Sequence, residues 1–224
     1  IYENQFFIRM DISPHMTTPD ASIFDVIHPE PLLIVLSGPS GVGKDAIVQR
    51  LKELQLSFHF VVTATSRDPR PGERDGVDYH FIGREKFEEM IAQDELIEYA
   101  QVYNQYKGIP KFEVRDAIAS GKDVIMRLDV QGAARIRQLC ESAVLIFLIP
   151  ESEESWLNRF RARKTEDEES LALRMKTARD EMQCLNYFDY IVVNPQNKMD
   201  EAAENIMAII KAEHSRTEHR HITL

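Results

Sequence analysis

The sequence predicts an α/β protein built on a doubly wound parallel sheet, and three observations carry that prediction. Short β-branched apolar runs alternate with amphipathic stretches of helical period. The first run feeds a glycine-rich turn that opens onto a helix. The chain has 224 residues, 43% of them hydrophobic, enough for one sizeable core. In such a fold ligands lie beyond the carboxyl ends of the strands, so the loops that follow the apolar runs should carry the chemistry.

Each element can be justified in order. "LLIVLSG" (32–38) follows Pro29 and Pro31 and reads as a buried strand. "KDAIVQRLKEL" then places Ala46, Ile47, Leu51 and Leu54 at helical spacing. "HFVVTATS" (59–66) reads as one strand running into "RDPRPGERDGVDYHFI", a Pro-, Gly-, Asp- and Arg-rich loop that leads to another short strand. "REKFEEMIAQ" is an amphipathic helix with Phe87, Met90 and Ile91 on one face, and "LIEYAQVY" is strand-like. "KGIPKFEVRDAIAS" turns into a helix that ends at Gly121. "DVIMRLDVQG" (123–132) reads as a strand ended by glycine, followed by the helix "AARIRQLC". "AVLIFLIP" (143–150) is a strand stopped by proline, and a helix, a charged hinge and a second helix come next. "DYIVVN" (189–194) closes the strand series, and "DEAAENIMAIIKAEH" is a final helix. Residues of about 60–110 hold extra strands and turns and are expected to form an inserted subdomain.

Composition narrows the classes of function. The net charge of −10 disfavours general attraction to nucleic acid or to an anionic membrane, so an anionic ligand needs a local basic site. No apolar run approaches the roughly 20 residues that span a bilayer. Cys140 and Cys184 are too few for a disulfide framework and sit in no metal-binding pattern, which suits a reducing, cytoplasmic setting or an organelle. Residues 1–29 are read as a tail without assigned function, and "FFI" within them is too short for a secretory signal. Glu3, Asp11, Asp20 and Asp25 argue against a transit peptide. The His15–Met16–Thr17 junction is compatible with a cloning junction, with native sequence starting at Met16.

Chemistry concentrates first in "VLSGPSGVGKDAI" (35–47), where Gly38, Gly43 and Lys44 have the G-x-x-x-x-G-K spacing of a phosphate-binding loop. Strand, glycine turn and helix are the context this motif requires, and the helix start offers N–H groups and a positive dipole end to an anion. The residue after the lysine is ordinarily a Ser or Thr that reaches Mg²⁺; here it is Asp45, another hard oxygen donor.

With these segments in order, the sequence resembles the guanylate kinases, ATP:GMP phosphotransferases among the P-loop nucleoside monophosphate kinases. The resemblance runs from about residue 32 to 213 and rests on "SGPSGVGK", "TSRDPRPGERDGVDYHF", "LIEYAQVY" with "KGIP", "LDVQGA" and "RKTEDEES". It implies a P-loop kinase core at 30–213, an inserted mixed α/β GMP-binding subdomain, a helical lid at about 159–174, and a C-terminal tail at 214–224. It further implies Mg²⁺ together with ATP as co-substrate. Gly38, Pro39, Ser40, Gly41, Val42, Gly43, Lys44 and Asp45 would cradle the ATP phosphates, and Asn194 would border adenine. Arg67 and Arg70 would clamp the GMP phosphate and Tyr79 would hydrogen-bond it, with Thr63, Gly108 and Asp129 nearby. Glu98 would read guanine, Asp45 and Asp129 would lie by the metal, and Lys44, Arg159, Arg163 and Arg174 would act on the phosphoryl group in flight.

These residue types suit the reaction. Phosphoryl transfer needs two anions aligned and their developing charge neutralised, and the planar fork of arginine does both. Guanine offers an N1–H and an exocyclic amine on one edge, so a carboxylate can accept from both; adenine has no N1–H. Three departures from the family pattern stand out. Arg127 occupies a strand position where relatives commonly carry Asp, on the same side as Asp129. With Asp45 it suggests a compensating exchange of charges. Lys107 stands where a tyrosine is frequent, and Ile109 replaces a hydroxyl residue expected to bond guanine. Two rivals stay open at this point: a catalytically dead protein-binding module of the same fold, and a kinase of a phosphorylated sugar. Intact Gly38, Gly41, Gly43 and Lys44 speak against the first, and Tyr79 with Glu98 against the second.

Overall fold

A computed structural model describes residues 30–54, 57–102, 105–161, 175–177 and 179–222. Its centre is a parallel sheet of five strands: β1 (Leu33–Ser37), β2 (Phe58–Phe60), β7 (Asp123–Arg127), β8 (Val144–Pro150) and β9 (Tyr190–Asn194). They lie in the order β2-β7-β1-β8-β9. Strand β1 is buried along its whole length because helices cover both faces of the sheet, which is why its sequence is a continuous apolar run. Its residues alternate between two cores. Ile34 and Leu36 pack with Ile47 and Leu51 of α1 (Lys44–Glu53) and with Ala203, Ile206 and Ile210 of α6 (Met199–His214). Leu33 and Val35 pack with Val114 and Ala117 of α3 (Lys111–Ala119) and with Ala133 and Ile136 of α4 (Val130–Leu139).

The inserted subdomain is a second sheet of four strands, in the order β4-β3-β6-β5, built from β3 (Ala64–Thr65), β4 (His80–Phe81), β5 (Leu96–Val102) and β6 (Gln105–Pro110). Helix α2 (Arg84–Ala92) seals it by burying Phe87 and Met90 against Ala64 and Leu96. Phe87 also stacks on Tyr106, with ring centroids 5.2 Å apart.

Several details differ from the reading of the sequence. "HFVVTATS" is not one strand: β2 pairs with β7 in the core sheet, and β3 pairs with β6 in the other. Between them Val61 N–H still bonds Ile125 O, while Val62 N–H turns to the Glu113 carboxylate on α3. The run therefore crosses from one sheet to the next and forms the hinge of the insertion. Strand β7 stops at Arg127, because Asp129 caps α4 by accepting Gly132 N–H at 2.8 Å and so draws the glycine inside the helix. On α1 only Ile47 and Leu51 are buried; Ala46 and Leu54 face out. "QYKGIP" is strand β6 despite its glycine and proline, because β3 and β5 pair with it on either side. The chain beyond α6 is not loose either, since Arg220 packs on Glu213 and on the carbonyls of Ser142 and Ala143. Arg163, Arg174 and most of the expected lid, with the acidic run at 166–169, lie outside the described residues, as do residues 1–29. Helix α5 (Glu153–Arg161) leads toward that segment, and a short 3₁₀ helix (Met182–Tyr187) follows it.

Candidate active site

The phosphate loop leaves β1 at Ser37 and turns through glycines at positive φ, Gly38, Gly41 and Gly43. Gly38 has φ +142°, and a Cβ there would sit 2.4 Å from Leu148 O, inside the neighbouring strand. Gly43 has φ +100°, with the Asn194 amide 2.7 Å from where a Cβ would be. Three side chains grip the loop from outside. Trp156 Nε1 donates to Ser40 O at 2.9 Å, Asn194 Nδ2 to Val42 O at 2.8 Å, and the Arg159 guanidinium to Val42 O at 2.7 Å and Asn194 O at 2.6 Å. Arg159 thus braces the loop in this structure and does not line the cleft. Lys44 folds back over the loop and donates to Gly38 O at 2.5 Å and Pro39 O at 3.3 Å. Desolvation pulls its pKa down, against the opposing fields of Glu181, Asp45 and Asp129.

Sequence reasoning missed Glu181. Its carboxylate accepts Ser40 N–H at 3.1 Å, and burial raises its pKa although that bond and Lys44 oppose the rise. An internal carboxylate therefore bonds the phosphate cradle, where a nucleotide phosphate is expected. No local motif marks it, because its approach depends on the packing of an element some 140 residues further along the chain.

Across the cleft, the loop after β3 holds Arg67 against Glu73 in a two-pronged ion pair, both contacts at 2.6 Å. Glu73 also accepts Arg70 N–H at 2.7 Å, and these bonds lower its pKa to about 2. The Arg67 guanidinium lies 5.0 Å from the centre of the Tyr79 ring, while the Arg70 side chain is exposed. Glu98 projects from β5 against the first turn of α4, where a Cβ added to Gly132 would lie 3.3 Å from its carboxyl carbon. Burial first, and then the Asp129 charge, push the Glu98 pKa up to about 7. Gly108 fixes this geometry, since a Cβ there would meet Glu98 O at 2.7 Å and Tyr99 Cβ at 2.9 Å. Ile109 is fully buried among Leu33, Val35 and Val114, so it faces the core and not the ligand.

The two departures at 45 and 127 meet directly: the Arg127 guanidinium is ion-paired with Asp45. The same guanidinium reaches Tyr79 OH at 3.4 Å and so links the donor helix to the acceptor subdomain. A single cleft of about 480 Å³ gathers Ser40, Gly41, Val42, Gly43, Lys44 and Asp45 at one end with Thr63, Tyr79 and Glu98 at the other; Lys107, Arg127, Asp129 and Glu181 also line it. Gly38, Pro39, Arg67, Arg70, Gly108, Arg159 and Asn194 stand behind these residues or beside them and are not part of the lining.

Known proteins similar to this chain fall in one family. Residues 30–213 match the family model described as guanylate kinase. The chain is 50% identical over 197 residues to a rice protein (Oryza sativa subsp. japonica) named guanylate kinase 2, chloroplastic/mitochondrial, covering 88% of this chain and 69% of that one. It is 44% identical over 186 residues to a guanylate kinase of Latilactobacillus sakei subsp. sakei, covering 83% and 91%. The crystal structure of guanylate kinase from Anaplasma phagocytophilum superposes with a TM-score of 0.68 at 29% identity, covering 84% of this chain and 89% of that one.

Proposed function

The chain belongs to the guanylate kinase family, and on that premise we propose how its residues move the γ-phosphoryl group of Mg-ATP onto GMP or dGMP. The supporting observation is the single cleft that has Lys44 and the glycine loop at one end and Tyr79, Thr63 and Glu98 at the other. An acceptor phosphate oxygen attacks the γ-phosphorus, the bond to the bridging oxygen breaks, and ADP leaves with that oxygen. Lys44 and the loop amides hold the donor phosphates, and Glu181 must yield Ser40 N–H to them. Asn194 Oδ1 is buried with no hydrogen-bond partner among the described residues, which suits the exocyclic amine of adenine.

On the acceptor side Tyr79 and Arg67 meet the phosphate, with Arg70 close enough along the chain to join them. Glu98 accepts from guanine N1–H and its exocyclic amine, a pair that adenine cannot supply. Arg159 serves by bracing the loop, and Arg163 and Arg174 are assigned to close on the transferring group. The donor set fits a metal that arrives with ATP. Asp45 and Asp129 are hard oxygen donors on one cleft, and no cluster of three ligating side chains among the described residues could hold an ion alone. When bound, Mg²⁺ neutralises charge on the transferring phosphates; Arg127 in turn offsets the charge of Asp45.

Among the described residues no helix is long and apolar enough to cross a membrane. Cys140 and Cys184 are free thiols, which suits the cytoplasm or a reducing organelle interior. The protein-binding and sugar-kinase alternatives are not favoured. One assay decides between them: release of ADP from Mg-ATP with GMP, dGMP, AMP, CMP or ribose bisphosphate as acceptor. Turnover is expected with GMP and dGMP, and Lys44→Ala should lose at least about 100-fold, as expected when a charge stabilising the transition state is removed. Equal turnover with AMP, or none with any monophosphate, would overturn this reading.

A further inference from the structure

Ser40 N–H belongs to the phosphate loop, between Gly38 and Gly43, and in this structure it is already taken. Glu181, 141 residues further along the chain, accepts it at 3.1 Å. The carboxylate lines the same cleft as the loop, Lys44, Asp45 and Asp129. Burial and the Asp129 charge work against its ionisation, while the Ser40 bond and the Lys44 charge support it. Lys44 is turned back onto Gly38 O and Pro39 O. Ser40 is also held from its carbonyl side, where Trp156 Nε1 donates at 2.9 Å. The anion-binding end of the cleft thus holds an anion of its own.

We propose that Glu181 is an internal competitor for the phosphate loop, seated at Ser40 until a phosphate ligand displaces it. The proposal takes from the guanylate kinase reading only that this ligand is ATP, and adds what decides which anions the loop accepts. A loop that is open in a small fraction of molecules binds every phosphate more weakly by that fraction. Mg-ATP overcomes the handicap through contacts elsewhere, with its remaining phosphates and with a base that reaches toward Asn194. Inorganic phosphate has no such contacts, so the same handicap keeps it off the loop. ADP, one phosphate shorter, is released more readily when the carboxylate returns to Ser40 N–H. The carboxylate comes from just before the 3₁₀ helix (Met182–Tyr187), outside the loop. It can therefore withdraw while Trp156, Arg159 and Asn194 keep their grip on the loop carbonyls.

The experiment titrates parent, Glu181→Ala and Glu181→Asp with inorganic phosphate and, separately, with ATP in the absence of GMP. Calorimetry gives the affinities, and Trp156, the chain's single tryptophan and a donor to Ser40 O, reports on the loop by its fluorescence. Glu181→Ala is expected to bind both ligands about ten- to a hundredfold more tightly than the parent, because a charge-assisted bond is lost from the empty state alone. The two gains should agree within about threefold, since one displaced carboxylate underlies both. Glu181→Asp keeps the charge but is one methylene too short to hold Ser40 N–H, and it should show most of the same gain. Thermal melts establish that each variant is folded, and if Glu181→Ala is not, Glu181→Asp decides by the same criterion. Affinities equal to the parent's would overturn the proposal. A gain in Glu181→Ala that is absent from Glu181→Asp would overturn it as well, because the charge of Glu181, and not its place at Ser40, would then be the cause. A parent that binds ATP but transfers nothing to GMP defeats the kinase reading alone, and the titrations still decide the role of Glu181.

Discussion

Glu98 is the residue whose chemistry reports most directly on the site. Its pKa is pushed up to about 7 by burial and by Asp129, yet it must be ionised to accept two hydrogen bonds from guanine. GMP binding should therefore weaken as pH falls below about 7, and binding near neutrality should release a proton. The GMP phosphate titrates too, near 6, so the comparison that isolates Glu98 is with Glu98→Gln. That variant should bind GMP at least tenfold more weakly at pH 8, with less added loss on acidification, as measured by titration at several pH values. Stability should move the other way. A carboxyl whose folded pKa exceeds its unfolded value favours the fold fully below about 4.5 and loses that support as pH rises through about 7. Glu98→Gln should consequently melt higher than the parent at pH 8 and no differently at pH 4. A parent that melts higher at pH 8 would show that Glu98 is not desolvated as described.

At the scale of elements, α5 and β9 act as a clasp on the phosphate loop. Trp156 and Arg159 sit three apart on one face of α5, and Asn194 ends β9; together they occupy carbonyls of Ser40, Val42 and Asn194. The resemblance assigned Arg159 to the phosphoryl group in flight, but its partners in the structure are loop carbonyls that no sequence pattern reveals. Arg159→Ala is expected to raise the KM for ATP about fivefold or more. It should also cost about 1–3 kcal/mol of stability, because the buried Val42 and Asn194 carbonyls lose a charged donor. Thermal melts with kinetics check this. An unchanged melting temperature combined with a kcat lower by several orders of magnitude would assign Arg159 to the transferring phosphoryl group.

The molecule as a whole separates chemistry from bracing along the strand direction. The phosphate loop, Asp129 and Asn194 follow or end β1, β7 and β9 at their carboxyl ends. The chain after α6 packs at the opposite end, where Arg220 bonds Glu213 at 2.7 and 3.0 Å and caps the carbonyls of Ser142 and Ala143 just before β8. His221 Nδ1 meets Glu30 there at 2.8 Å. Glu213 is 1% exposed, so its charge depends on these contacts. Burial alone would raise its pKa, but bonds from Arg220 and from Tyr190 hold it below the usual carboxylate value. Arg220→Ala should cost about 1–3 kcal/mol, because the buried Glu213 carboxylate then keeps only Tyr190 OH and the looser ion pair with Arg216 at 3.7 Å, with the Michaelis constants unchanged. The deficit should shrink as pH falls below about 4.5, because protonation of Glu213 removes the support in the parent as well. Denaturant melts at pH 7 and pH 4 measure it, and a deficit that grows on acidification would refute the account.

The chain order of apolar runs determined the layered fold, and glycine and lysine spacing determined the phosphate loop, since both depend on local periodicity and on backbone angles that few residues tolerate. Glu98, Tyr79 and Thr63 were legible because they lie within compact motifs. Glu181 at Ser40, the grip of Trp156, the core-facing turn of Ile109 and the anchoring of the last residues were decided by tertiary structure alone. Each is a contact between segments far apart in the chain, where burial and the need to satisfy backbone carbonyls and charges choose the partner. Even the pairing of Asp45 with Arg127, suggested by two departures in charge, became a contact only when parallel β1 and β7 brought the end of one strand beside the start of α1.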